Sequence, residues 1–182
     1  KKFMIAFTIM GRGLASKSFD LYDRIIKVGK KYELYDELIE KLHWKRNDKG
    51  VVESEEFRRT FGTTIKELER CRRAVYKARD YYYEYFADYY DFKGLNNKKV
   101  GFLTEAVADM QRDFRETDSA YVGFYMYMLL AEYYACHGEF ELACKAGHSV
   151  VELIKTRPAL YMERRLGFAY SHLAEKYLLA HE

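Results

Sequence analysis

The feature that most restricts this chain is one pattern repeated three times at nearly equal steps. Tyr83-Glu84-Tyr85-Phe86-Ala87-Asp88-Tyr89-Tyr90 aligns with Tyr127-Met128-Leu129-Leu130-Ala131-Glu132-Tyr133-Tyr134 and with Tyr170-Ser171-His172-Leu173-Ala174-Glu175-Lys176-Tyr177, the copies standing 44 and 43 residues apart. Four columns result: Tyr83, Tyr127 and Tyr170; Phe86, Leu130 and Leu173; Ala87, Ala131 and Ala174; Tyr90, Tyr134 and Tyr177. Offsets of three, four and seven put these four positions on one face of a helix. Alanine there lets a neighbouring helix approach closely, while the aromatics fill the space on either side with hydroxyls at the core edge. The spacing predicts that the column tyrosines are core posts of stacked helical hairpins, which accounts for at least six of the 18 tyrosines.

Helical periodicity and stop signals carry this pattern along the chain. A first helix is predicted over 3–13, frayed by Gly11 and Gly13, and a second after Ser16 or Ser18 with Phe19, Leu21, Tyr22, Ile25, Ile26 and Val28 on its apolar face, ending at Gly29. A third, over 32–47, stops in Asn47-Asp48-Lys49-Gly50. Ser54 opens a short piece to Phe61, Gly62-Thr63-Thr64 interrupts it, and Thr64 with Glu67 has the form of a capping box. The helix that starts there meets no breaker until Gly94, which predicts one long helix over 64–93, about 45 Å. Asn97 is placed as the N-cap of a helix ending near Glu116, Asp118 or Ser119 as the cap of one ending at His137-Gly138; another runs to Lys155, and Pro158 sits at the first position of the last.

Composition agrees with long helices. One proline and 11 glycines leave few places to punctuate many short strands, and no stretch alternates with period two between turn signals. A 49% hydrophobic, 32% charged chain excludes disorder, and no apolar run nears the roughly 18 residues that span a bilayer. The eight-residue run Phe3–Met10 reads as a buried helix rather than a signal peptide, because Arg12 stands where the apolar region should continue. Cys71, Cys136 and Cys144 are an odd number without framework spacing, which points to reduced thiols and a cytoplasmic location.

In its first-helix pattern the repeat resembles the tetratricopeptide family. Tyr127, Leu130, Ala131, Tyr134, Gly138, Phe140 and Ala143 fall at that motif's spacings, and Leu21, Tyr22, Ile25 and Gly29 repeat it more loosely. The step of 43 to 44 residues departs from the usual period of about 34, so the likeness is to a longer-helix relative covering residues 17–182. The resemblance implies an all-α fold, a right-handed array of antiparallel helical hairpins with about seven or eight helices in one domain over 1–182. The phase of the repeats predicts a chain cut from a longer array or multidomain protein, with end helices that pack on other domains or on further copies, as in a homo-oligomer.

The resemblance also implies a non-enzymatic scaffold that holds a protein or peptide segment in a concave groove. Carried over, the groove positions are Tyr81, Glu84, Asp88 and Asp91; Tyr125, Met128, Glu132 and Ala135; and Phe168, Ser171, Glu175 and Leu178. Asp88, Glu132 and Glu175 would make an acidic column beside aromatic Tyr81, Tyr125 and Phe168, suited to a basic or aromatic-anchored segment. No glycine-rich phosphate loop, nucleophile elbow or His-Glu-x-x-His pair is present, so no catalytic residue and no cofactor is assigned. Cys136, His137, Cys144 and His148 could be drawn together by a hairpin around zinc, yet Cys136 and His137 are adjacent and point apart, and no metal is assigned.

A second class of function rests on charge. From Arg58 to Arg79, eight basic residues face two glutamates, and Arg70, Arg72, Arg73 and Arg79 with nearby tyrosines could contact nucleic acid. A net charge of only +3 counts against a dedicated nucleic-acid binder; the bland alternative is a solvated helix face, and a self-associating structural module is a third possibility.

Overall fold

The computed structural model describes residues 15–47, 55–91 and 97–181, and every regular element among them is an α-helix. These are α1 (Ala15–Lys31), α2 (Tyr35–Asn47), α3 (Glu55–Asp91), α4 (Asn97–Thr117), α5 (Ala120–Cys136), α6 (Phe140–Thr156) and α7 (Glu163–Ala180). The helix expected over 3–13, the Ser54 cap and the turns at 48–50 and 94–96 lie outside the described residues. No helix among the described residues is long and apolar enough to cross a membrane. The chain divides into two compact units between Arg72 and Arg73, inside α3.

In the first unit the buried face is built from Ile25 of α1, Leu38, Ile39 and Leu42 of α2, and Phe61, Ile65 and Leu68 of α3. The α1–α2 turn closes with Glu33 in the left-handed region at φ 52°: its N–H donates to Lys30 O at 3.1 Å, and the Leu34 N–H donates to Gly29 O at 2.9 Å. This paired closure satisfies the last carbonyls of α1. The sequence places the helix end at Gly29, but α1 runs two residues further. Gly29 serves packing instead, since a Cβ there would lie 2.6 Å from the Leu38 side chain.

The largest departure from expectation is the break at Gly62-Thr63-Thr64, which does not occur. α3 is continuous over 37 residues, about 55 Å. Phe61, Ile65, Leu68 and Cys71 keep helical spacing straight past Gly62, so a buried stripe outweighs the local breaker. Thr63 Oγ1 donates to Arg59 O at 3.0 Å within the helix, and Thr64 is interior, so the Thr64–Glu67 capping box does not form. A methyl group at Gly62 would meet nothing within 4 Å. Gly62→Ala is therefore expected to stabilise the chain by about 0.5–1 kcal/mol in urea denaturation; a loss would restore the break.

The second unit runs from Arg73 through α7. Short connections fold α4, α5, α6 and α7 into successive hairpins, each packed on the next, with α5 also touching α7. Ser119 caps α5, its Oγ accepting from the Val122 N–H at 3.3 Å. At the other end Gly138, at φ 73°, takes the left-handed conformation that glycine tolerates best. Its N–H donates to Ala135 O while the Glu139 N–H donates to Tyr134 O. Pro158 does not open α7 but lies in the turn before it. That turn is held from both sides: Leu160 is fully buried, Tyr121 Oη donates to Ala159 O at 3.1 Å, and the Arg165 guanidinium donates to Leu160 O at 2.6 Å.

Two apolar clusters flank α5. One joins Ala74, Ala78 and Tyr85 of α3 to Leu103, Ala106 and Met110 of α4 and to Val122, Met126 and Leu129. The other joins Phe124 and Met128 to Val150, Val151 and Ile154 of α6, Leu160, and Ala169 and Leu173 of α7. α5 is thus buried nearly all round, as its sequence, with one charge in 17 residues, permits. A Cβ at Gly123 would come within 2.8 Å of Phe114 and 3.0 Å of Leu153, so Gly123→Ala is expected to cost about 1–2 kcal/mol in the same assay.

The column tyrosines are core posts only in the middle copy, where Tyr127 is half-buried against both apolar clusters and Tyr134 is half-buried. Ala131 and Leu173 are buried, but Tyr83, Tyr170 and Tyr177 are exposed, as are Ala87 and Ala174; the Tyr90 side chain lies outside the described residues. The buried tyrosine of α3 is Tyr85, two positions on. Cys71 and Cys144 are buried and Cys136 half-buried. Burial, then the nearby Glu67 charge, pushes the Cys71 thiol above its ordinary value. A maleimide or disulfide reagent at pH 8 should therefore label Cys136 first and Cys71 only on unfolding. Cys71 reacting as fast as Cys136 would contradict this packing.

Candidate interaction surface

The only charged residue of α5, Glu132, is buried, and three helices converge on it. Its Oε1 lies 2.6 Å from His172 Nε2 and 2.6 Å from Lys176 Nζ, both on α7, and Oε2 accepts from Tyr85 Oη at 3.3 Å. Four residues separate His172 from Lys176, so both project from one face of α7. A carboxylate only accepts, so His172 Nε2 carries the shared hydrogen. The other ring nitrogen, Nδ1, is buried with no hydrogen-bond partner among the described residues. Burial by itself pushes the Glu132 carboxyl up, but the His172 hydrogen bond and the Lys176 ammonium together outweigh it and hold the group below the ordinary carboxylate value. Lys176 is 1% exposed.

Apolar and cationic contacts extend this seat along α5. The Arg165 guanidinium of α7 lies 5.3 Å from the Tyr121 ring and 5.7 Å from the Phe124 ring. Met128 packs in one cluster with Ala169 and Leu173. One face of α5, through Tyr121, Phe124, Met128 and Glu132, thus receives α7.

The opposite face of α7 is open. Gly167, Ser171 and Ala174 are exposed along it, with Phe168 (47%) and Leu178 (70%) beside them. Glu175 stands there 52% exposed by its side chain, 3.5 Å from Lys176. At one edge the Tyr170 ring lies 5.5 Å from Lys155 Nζ, and the hydrogen bond that the ammonium donates to the Tyr170 hydroxyl raises the lysine's pKa. Tyr177 Oη lies 2.7 Å from His148 Nε2. Tyr161 and Met162, just ahead of α7, are also exposed.

The residues expected to line one groove are thereby divided. Phe168, Ser171 and Glu175 lie on the open face of α7, and Glu84 is exposed on α3. Tyr81 is half-buried, its Oη donating to Asp109 Oδ2 at 3.1 Å and its ring edge-on to Phe102. Tyr125 is half-buried against Tyr82, and burial pushes its hydroxyl pKa up. The Asp88 and Asp91 side chains lie outside the described residues. Met128 and Glu132 are the corrections: both are buried, because α5 is enclosed between two clusters and has no solvent-facing side at these positions.

Of the basic set, Arg70 and Arg73 are exposed, Arg72 pairs with Asp36 at 3.3 Å, and Arg79 lies 4.7 Å from the Tyr76 ring. Lys77, in the same stretch, is engaged by Asp109 at 2.6 Å and Asp113 at 2.7 Å. Among the described residues no three His, Cys, Asp or Glu side chains are grouped to hold a metal; His137 Nδ1 lies 2.7 Å from Tyr133 O and His148 faces Tyr177. The residues that sequence reasoning missed are Tyr85, His172 and Lys176. Their signal was present: a basic pair four apart on one helix, and a solitary carboxylate on an otherwise apolar one. No protein-family model, curated protein or solved structure matches the chain.

Proposed function

We propose that the chain is a non-enzymatic interaction scaffold of tetratricopeptide-like type, and that it engages a helical segment of another protein through the open face of α7. The observation that carries this is the juxtaposition of Gly167, Ser171 and Ala174, which allow close approach, with Phe168 and Leu178 exposed as anchors. A helix is the fitting occupant because the equivalent columns of α5 are already filled by one. The polar knot beneath, Glu132 with His172 and Lys176, holds α7 in place so that its outer face is preorganised.

The test compares proteins retained from the native cell by the wild-type chain and by Phe168→Glu with Leu178→Glu. Both positions are exposed, so the pair should change stability by no more than about 0.5 kcal/mol per site in urea denaturation. Partners held by the wild type should be lost with the variant. If the same proteins stay bound, α7 is not the docking element.

A further inference from the structure

The repeat register says more than that a helix fits; it specifies the charge that helix carries. With Tyr127 aligned to Tyr170, Phe124 corresponds to Gly167, Met128 to Ser171 and Glu132 to Glu175. In α5 these three positions are the seat of α7, and its acid accepts from His172 and Lys176, a basic pair four residues apart. In α7 the same three positions are open, and the acid is half exposed. We infer that the partner segment is a helix with a narrow apolar stripe and a basic pair at i and i+4, whose cations meet Glu175 as His172 and Lys176 meet Glu132.

The size of the seat agrees with this. Phe124 and Met128 are replaced by Gly167 and Ser171, so a docking helix can come closer to α7 than α7 comes to α5. A Cβ at Gly167 would meet nothing within 4 Å. Closer approach also shields the ion pair from water, which strengthens it relative to a surface pair. This inference rests on α7 being the docking face, and the experiment separates the two.

The probe is a stapled helical peptide with the sequence of residues 163–180, because that sequence is the helix already seated on the aligned columns of α5. A second peptide carries His172→Glu with Lys176→Glu. Each is titrated into the intact chain by fluorescence anisotropy, against wild type, Glu175→Lys and Leu178→Glu. The native-sequence peptide should bind wild type about tenfold more tightly than the acidic one, the order should reverse with Glu175→Lys, and Leu178→Glu should weaken both. Equal binding of the two peptides, still abolished by Leu178→Glu, overturns the basic pair and leaves the docking face standing. Binding of neither peptide, or binding indifferent to Leu178→Glu, overturns the docking face itself. Sedimentation as a dimer that Leu178→Glu dissociates overturns the partner helix in favour of a second copy.

Discussion

Glu132→Ala is expected to lower the unfolding free energy by about 3–5 kcal/mol, a large share of what a small domain possesses. The substitution leaves the Lys176 ammonium, 1% exposed, with the Glu175 carboxylate at 3.5 Å in place of the Glu132 oxygen at 2.6 Å. It also strips His172 Nε2 and Tyr85 Oη of their acceptor. The cost comes from stranded partners rather than from the strength of the pair. Hence Glu132→Leu with Lys176→Met should recover much of the loss, which chemical denaturation of the single and double variants would show as strong non-additivity. Additive losses would mean that the two side chains do not share one buried site.

The same group gives the chain a pH dependence of definite sign. Because the folded state holds the Glu132 carboxyl below its ordinary value of 4.5, its contribution is fully present above that pH. It is lost as pH falls from 4.5 through the lower folded-state value. As pH falls below 4.5 the wild type should therefore lose stability more steeply than Glu132→Gln, which has no proton to take up there.

Met128→Ala is the second large effect, about 2–5 kcal/mol, because the side chain is 0% exposed and packs among Phe124, Val151 and Leu173. A residue lining an open groove would tolerate the change almost without cost. Ser171→Ala, one repeat later in the same column, should do so. A thermal or urea midpoint for Met128→Ala equal to that of the wild type would return Met128 to a surface.

Much of the helical plan was legible because its signals are local. The Ser119 cap, the Gly138 turn and the span of α4 need only neighbouring backbone groups, and there is little to override them. Gly62 and Pro158 misled for the opposite reason. At the first, a buried stripe continues past the glycine; at the second, Leu160 must reach the core before α7 can begin. The sequence columns align residues of three helices but do not say which way each helix is turned. Face assignment by analogy assumes every first helix has one wet side, and α5, with a cluster on either flank, has none. Glu132 could have corrected this, since a lone charge in an apolar helix needs a partner, and His172 and Lys176 were spaced to supply one.

One aligned position is interior at Glu132 and open at Glu175, and the docking role proposed for α7 rests on that difference. The most direct measurement is the urea-denaturation free energy of Glu132→Lys beside Glu175→Lys. Glu132→Lys, which sets a second cation against Lys176 in a buried site, should lose more than about 3 kcal/mol or fail to fold, while Glu175→Lys should stay within about 0.5 kcal/mol of the wild type. Equal losses at the two positions would contradict it.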